Sequence, residues 1–451
     1  VTRPTWTPDL LGALARTADV DTSDSAREEA SRDWGHLVRG HARGVARASS
    51  ARDVQLIVRF AREHGLALTV RGGGMSQSGQ SVPRDGLSLD VRALRAVGEP
   101  DRDRLTVSAG PGATWRQLLT ELLPLGLAPR VVPLNLDLTV GGTLSAGGFG
   151  STSHRFGPAV SHVPSLSVVT DSGDSLVCGP TQERAVFDAV LGGVGRGGVI
   201  VGADLALRRV PPCVRTFYLA YDDLSSLIHD QGKLQHADHV EAFCASTVHG
   251  LRKGPSNRRQ PLVVWSYGLH VSIEHAEGKP PKAEDVLSGL KPVEVLHIED
   301  DSAEGFASRY DVRFEAMRAT GTWGYEHPWV ECVLPLDAAL RVIPRALAAL
   351  PMFLGDGHRI FSIADTDRPR SLRFPERGPF VSFAVLPMGV PPGLSRPALD
   401  ALRALHDLVL SEGGTRYVSG WQFRSEPGGR QATDPDVGPP TSLFESCLPP
   451  A

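Results

Sequence analysis

The run Arg71-Gly72-Gly73-Gly74-Met75-Ser76-Gln77-Ser78-Gly79-Gln80 closes a short β-rich segment at residues 66–70. Consecutive glycines after a buried strand let backbone N–H groups converge on one concavity, a nest suited to a pyrophosphate. Ser76 and Gln80 add side-chain hydrogen-bonding capacity. A glycine-rich β-turn without a ligand reads the same way locally. The run therefore decides the fold only with its neighbours.

Upstream, Ser50-Ala51-Arg52-Asp53 has the pattern of a capping box, and Val54, Ile57, Val58 and Ala61 fall on one helical stripe that Gly65 ends. Downstream, a strand at 105–109 meets Gly110-Pro111-Gly112, and Thr114 caps a helix through Leu123. The spacing then predicts a hairpin of 165–170 with 175–178 around Ser172-Gly173, a helix near 182–191 and a strand at 199–207. Gly193-Val194-Gly195-Arg196-Gly197-Gly198 fits GxGxxG, but the dinucleotide fingerprint needs a strand before it and a helix after it. Here that order is reversed, and a tight helix-to-strand turn is the better reading.

Pro211-Pro212 is the strongest internal boundary, since two prolines end a strand and stiffen a crossing. Beyond it, β-like stretches at 214–221, 263–273, 293–298 and 380–386 alternate with helical ones at 340–350 and 399–410. The tail at 425–451 is rich in Pro and Gly and must lie on something to be ordered.

The 451 residues carry 47 Lys+Arg against 51 Asp+Glu, a net charge of −4, which argues against nucleic acid as the main partner. No stretch reaches the length of a membrane span, and residues 1–21 lack a signal-peptide core. Five scattered cysteines form no CxxC pair and read as reduced thiols, so a cytoplasmic location is expected. His229, His236 and His239 would cluster for a metal only on a helix. Surface histidines are the simpler reading, and no metal is expected. The arginines of 368–377 read as a solvated loop.

The order of these pieces resembles the flavin-linked oxidases of the vanillyl-alcohol oxidase type, and within them looks like the cytokinin dehydrogenases. The family's Arg-Gly-x-Gly-His-Ser corresponds to Arg71–Ser76, and its Leu-Thr-Val-Gly-Gly-Thr-Leu-Ser stands intact at 138–145. Arg155-Phe156-Gly157-Pro158, the 187–193 run, Gly198-Val199-Ile200 and His327-Pro328-Trp329 also match in order. The resemblance implies an α+β, two-domain PCMH-type FAD-binding fold with an α+β substrate (cap) domain. Residues 1–211 (core about 33–211) would bind FAD, 212–420 would form the cap, and 421–451 would return to the FAD-binding half. Carried over residue by residue, Arg71, Gly72, Gly73, Gly74, Met75, Ser76 and Gln80 would surround the pyrophosphate and neighbouring flavin. Leu134, Thr139, Gly142, Ser145 and Phe149 would lie along the cofactor, and the Val199-Ile200 backbone would meet the adenine end. Simple helix capping is the alternative for Thr139 and Ser145, and core packing explains Phe149 equally well.

Two departures bear on function. Met75 stands where the family's histidine bonds covalently to the flavin, and a thioether cannot make that linkage. No cysteine lies in 139–150 to supply a second attachment, so the FAD is expected to be non-covalent. Leu134 stands where the family's aspartate takes the proton from the substrate amine. A leucine cannot accept a proton. Asp137 is close in sequence; three residues along an extended segment it would point the other way, but a loop there would make it a candidate catalytic base. Candidates for a replacement base are Tyr325, Glu326 and His327, while Trp323 and Trp329 would line the cap cavity or simply pack the core.

Three readings follow. The first is an oxidoreductase acting on a small, largely apolar intermediate of secondary metabolism. The second is a non-redox cyclase with a structural flavin, and the third a binding protein without activity. The partner expected is a small molecule, and the sequence sets no oligomeric state.

Overall fold

The computed structural model describes residues 4–253, 257–355, 357–376 and 378–423. Most of the tail expected to fold back, together with Cys447, lies outside these residues.

A four-stranded sheet is ordered Asp19–Asp21, Ala42–Arg47, Gly86–Asp90, Leu68–Arg71, its last three strands parallel. The helix Ala51–Glu63 crosses it. Ser50 and Asp53 form the expected capping box, and Val54, Ile57, Val58 and Ala61 are fully buried. That stripe packs on Leu87 and Leu89 of this sheet and on Val169 and Val199 of the next. The second sheet is antiparallel, in the order Thr106–Ala109, Val199–Arg209, Ser165–Val169, Ser175–Cys178. It includes the expected hairpin, and Arg184–Val190 leads through the glycine turn into Val199–Arg209.

The chain then crosses Pro211-Pro212 into an antiparallel eight-stranded sheet. Its order is Glu294–Ser302, Cys213–Tyr221, Arg259–His275, His239–Lys253, His358–Ile363, Phe380–Val385, Val330–Pro335, Thr415–Arg416. Side chains alternate faces along each strand. One face carries Leu219, Leu269, Ala242, Ile360, Phe383 and Cys332, packed under the helices Leu224–Lys233, Leu336–Ala349 and Ser395–Ser411. On the other face Phe361, Ile363 and Val333 join the core of the second sheet, and beside them stand the polar residues Glu241, Arg359 and Glu331.

The histidine segment differs from the helical alternative. His239 opens a strand rather than sitting on a helix, because its neighbours alternate between core and polar face. Its ring contacts Ser151 Oγ (2.8 Å) and Glu274 Oε1 (2.9 Å).

After Thr415–Arg416 the chain returns to the first half. The Tyr417 ring packs 4.3 Å from Phe149, and its hydroxyl accepts the Gly148 N–H at 2.6 Å. Tyr417→Phe keeps the ring and strands that amide. It is expected to lower stability by about 1–3 kcal/mol, the cost of an unsatisfied buried donor. Denaturant unfolding of the two proteins measures this directly. Equal stability would contradict it.

Candidate functional site

Three separate segments hold the glycine loop. Asp33 accepts Ser76 Oγ–H (2.7 Å) and Gly79 N–H (2.8 Å), while Trp34 and Gly35 donate from their backbone to Gly74 and Ser76. His327 N–H donates to Gly35 O at 2.9 Å, tying the 324–329 segment to the same loop. From the returning chain, Gln422 N–H donates to Ser78 Oγ (2.7 Å), and Gln80 Nε2 donates to Val418 O (2.9 Å). Burial pushes the Asp33 carboxyl up to about 6, against the opposing pull of Ser76 and Gly79.

The loop itself is built for close approach. A side chain on Gly72 would place its Cβ 2.5 Å from Thr139 Oγ1, and Gly74 has φ +69°, a left-handed backbone that glycine takes without strain. Thr139 caps the helix Val140–Ala146 by accepting Gly142 N–H at 3.3 Å. Among the described residues the Gly72, Gly73, Gly74 and Met75 N–H groups donate to no protein acceptor. Trp34 Nε1 and Gln77 Oε1 are likewise buried without a partner. Free amides on a glycine turn that is exposed at Gly73, flanked by orphaned polar atoms, are what a bound pyrophosphate and its attached ring system would satisfy.

Several expected cofactor contacts are instead used within the protein. Arg71 Nη1 donates to Arg32 O (3.0 Å) and braces the loop from below. Ser76 is taken by Asp33 and Ser81, and Gln80 by Ser78 and Val418. Phe149 packs against Tyr417, Phe361 and Phe374, as a core residue does. Val140 and Gly141 donate to Ala113 and Pro111, so the start of their helix is already satisfied. Ser145 accepts Val194 N–H through its backbone, and the Val199-Ile200 backbone pairs with Val169 and Val168.

Beside the loop lies an aromatic cluster. Trp34, Phe314 and Met317 are buried, with Met75, Leu134, Trp323 and Trp329 packed against them. The His327 ring stacks on Trp34 (4.1 Å between centroids, 8° between planes), and Trp329 meets Trp34 edge-on at 4.7 Å. Burial holds His327 down to about 4, so its ring is neutral near pH 7. Its Nε2 faces Trp323 O at 3.3 Å and its Nδ1 has no partner. Glu326 Oε2 is also buried without a partner. Tyr325 is half-buried and lies near Gly389. Asp137 is turned away, paired with Arg116 Nε at 2.7 Å, and Arg116 also bonds Asp311.

On its other side Leu134 borders a cavity of about 60 Å³ whose far wall includes Glu241, His239, Arg309 and Tyr310. Glu241, Arg309 and Tyr310 were missed in the sequence, and His239, read there as a surface histidine, is buried. The signal was present in His239-Val240-Glu241-Ala242-Phe243, a strand alternation with one polar face, but it was obscured by the histidine spacing. Burial alone would raise the Glu241 carboxyl, yet Arg309 and Arg359 beside it hold it down at about 2. Glu274 likewise sits at about 2, burial being outweighed by His239 and Arg208.

Both carboxyls ionise more readily folded than unfolded. Their stabilisation is therefore complete above the ordinary value of 4.5 and is lost as pH falls toward about 2. Unfolding midpoints should drop steeply across that window, and a flat profile would contradict these pairings.

Comparison with known proteins agrees with the loop's geometry. Residues 42–179 match the FAD binding domain family. The chain is 30% identical to an uncharacterized oxidoreductase of the fasciation locus of Rhodococcoides fascians, over 88% of this chain and 89% of that one. It is 30% identical to cytokinin dehydrogenase 8 of Oryza sativa subsp. indica, over 72% of this chain and 67% of that one. The chain belongs to the PCMH-type FAD-linked oxidoreductases, the family that includes the cytokinin dehydrogenases. Its cofactor is FAD.

Proposed function

We propose that the protein is an oxidoreductase that holds FAD by non-covalent contacts and oxidises a small, largely apolar substrate lodged between Leu134 and the eight-stranded sheet. In this reading residues 1–211, with 421–451, bind FAD, and 212–420 form the cap over it. The observation that carries it is the apolar cluster in which Met75 and Leu134 both pack against Trp34 and its neighbours. Neither offers an attachment atom or a proton acceptor for an amine.

The Gly72–Gly74 amides and Thr139 would hold the pyrophosphate, with Trp34, Met75 and Leu134 against the ring system. Bound FAD supplies a two-electron acceptor. Glu326 is the proton acceptor we assign, because its Oε2 is buried and unpartnered, whereas His327 is fully buried against Trp34. Trp329, donating Nε1–H to Pro387 O at 2.7 Å, fixes one wall, and the aromatic cluster keeps water from the reacting carbon. The same apolar wall disfavours a protonated amine, so cytokinins are poor substrates for this chain.

The test is anaerobic mixing of the yellow holoprotein with candidate apolar substrates. A true substrate bleaches the flavin absorbance, and Glu326→Gln slows bleaching by ~10²–10⁴. Turnover that leaves the absorbance unchanged would overturn this reading in favour of a ring-forming reaction.

A further inference from the structure

The eight-stranded sheet leaves two of its parts uncovered among the described residues. Its outermost strand, Glu294–Ser302, pairs with Cys213–Tyr221 on one side and with no strand on the other. Free edges are normally kept short or blunted by lysine and proline. This one is nine residues long and exposes Val295, Leu296 and Ile298, Leu296 to 59%. The second part is an arm. Arg259–His275 pairs with Cys213–Tyr221 only from Tyr267 onward, and His239–Lys253 pairs with His358–Ile363 only at Ala242, Phe243 and Cys244. Residues 259–266 therefore run on past the sheet, held only by the neighbouring strand. Val248, Leu251, Leu262 and Val264 are exposed on this ribbon. A lone pair of strands is marginal in water, and a contiguous exposed apolar patch marks an interaction site.

The two parts are opposite in charge. Between Glu241 and Glu274 the chain has no acidic residue, while the arm carries Arg252, Lys253, Arg258 and Arg259. Between Lys291 and Arg309 it has no Lys or Arg, while the outer strand carries Glu294, Glu299, Asp300 and Asp301. Arg215 pairs with Asp300, but Glu294, Glu299 and Asp301 make no ion pair among the described residues. Neither do the four cations of the arm.

The outline of the sheet makes the two parts fit each other. Glu294 lies opposite Ala220, and Tyr221 opposite Tyr267, so the two outer strands stop where the arm begins. Beside the arm this leaves a notch two strands wide. A second copy, turned about a two-fold axis normal to the sheet, brings its own two outer strands into that notch. Glu294–Ser302 and Arg259–His275 both run antiparallel to Cys213–Tyr221, and the two-fold reverses one of them. The outer strand of one copy then lies antiparallel to the arm of the other, and symmetry forms the reverse contact at once. Val295, Leu296 and Ile298 fall against Leu262 and Val264, and Glu299 and Asp301 fall toward Arg258 and Arg259. We propose that the chain forms this two-fold dimer, each arm adding to the free edge of the partner's sheet by main-chain pairing, with the acidic and basic ends setting the register.

Sedimentation of the protein over a concentration series measures the dimer dissociation constant. The parent should be dimeric. Leu296→Asp changes an exposed side chain, so it should fold, yet it would bury an unpaired carboxylate in both seams. It should raise the constant about a hundredfold or more. Arg258→Glu combined with Arg259→Glu should raise it about tenfold or more, and adding Glu299→Arg to that pair should recover much of the loss. Circular dichroism and the melting temperature check that each variant is folded. A monomeric parent would overturn the proposal, including the case in which another protein covers the edge. A dimer indifferent to Leu296→Asp or to the two arginine reversals would overturn it too, because the copies would then meet elsewhere. Failure of Glu299→Arg to recover affinity would overturn the pairing of arm with outer strand.

Discussion

Gly72→Ala is expected to yield a folded but colourless protein. The added Cβ would stand 2.5 Å from Thr139 Oγ1, a distance that real Cβ contacts do not tolerate. Thr139 cannot simply swing aside, because the same oxygen caps the helix Val140–Ala146. The loop must therefore move, and the unbonded amides of Gly72, Gly73 and Gly74 lose their common aim. Misplacing two such charge-assisted donors costs about 3 kcal/mol or more, roughly a hundredfold in affinity. Titration of apoprotein with FAD, followed by flavin fluorescence, measures the loss. Circular dichroism checks that the fold survives. Parent-like affinity in the variant would place the pyrophosphate elsewhere.

The second large effect concerns amines. Isopentenyladenine should reduce the parent protein extremely slowly, because Leu134 offers neither a base nor a counter-charge. Losing a positioned acid–base group costs ~10²–10⁴ in rate. A protonated amine would also be desolvated against the Leu134, Met75 and Trp34 surface. Leu134→Asp supplies a carboxylate at that wall and should raise the rate of anaerobic bleaching by this amine. Asp137 does not substitute for it, since Arg116 holds that carboxylate outside the cluster. Brisk bleaching of the parent by isopentenyladenine would contradict the assignment of Leu134.

The sequence made the first half of the fold readable because its signals are local. The capping box at Ser50, the hairpin at Ser172-Gly173 and the glycine turn before Val199 each depend on a few adjacent residues. The reversed order around Gly193–Gly198 was also enough to reject a dinucleotide fingerprint. The strands His239–Lys253, Val330–Pro335 and His358–Ile363 were harder to see. Each sets a polar or charged residue on the inner face, and that charge is stabilised by partners far away in sequence. Glu241 meets Arg309 and Arg359 only in three dimensions. The same holds at the site. Met75 and Leu134 stood out by their place in a motif, but Trp34, which joins them, gave no local sign. Ser76, Gln80 and Arg71 matched the motif, yet their side chains brace the loop, because a glycine turn has no side chains of its own to hold it and is tied down by Asp33 and the returning chain.

The most direct test of non-covalent FAD binding is acid precipitation of the purified yellow holoprotein. With Met75 in place of an attaching histidine, all of the flavin absorbance should appear in the supernatant and none in the pellet. Yellow colour retained in the washed pellet would contradict it.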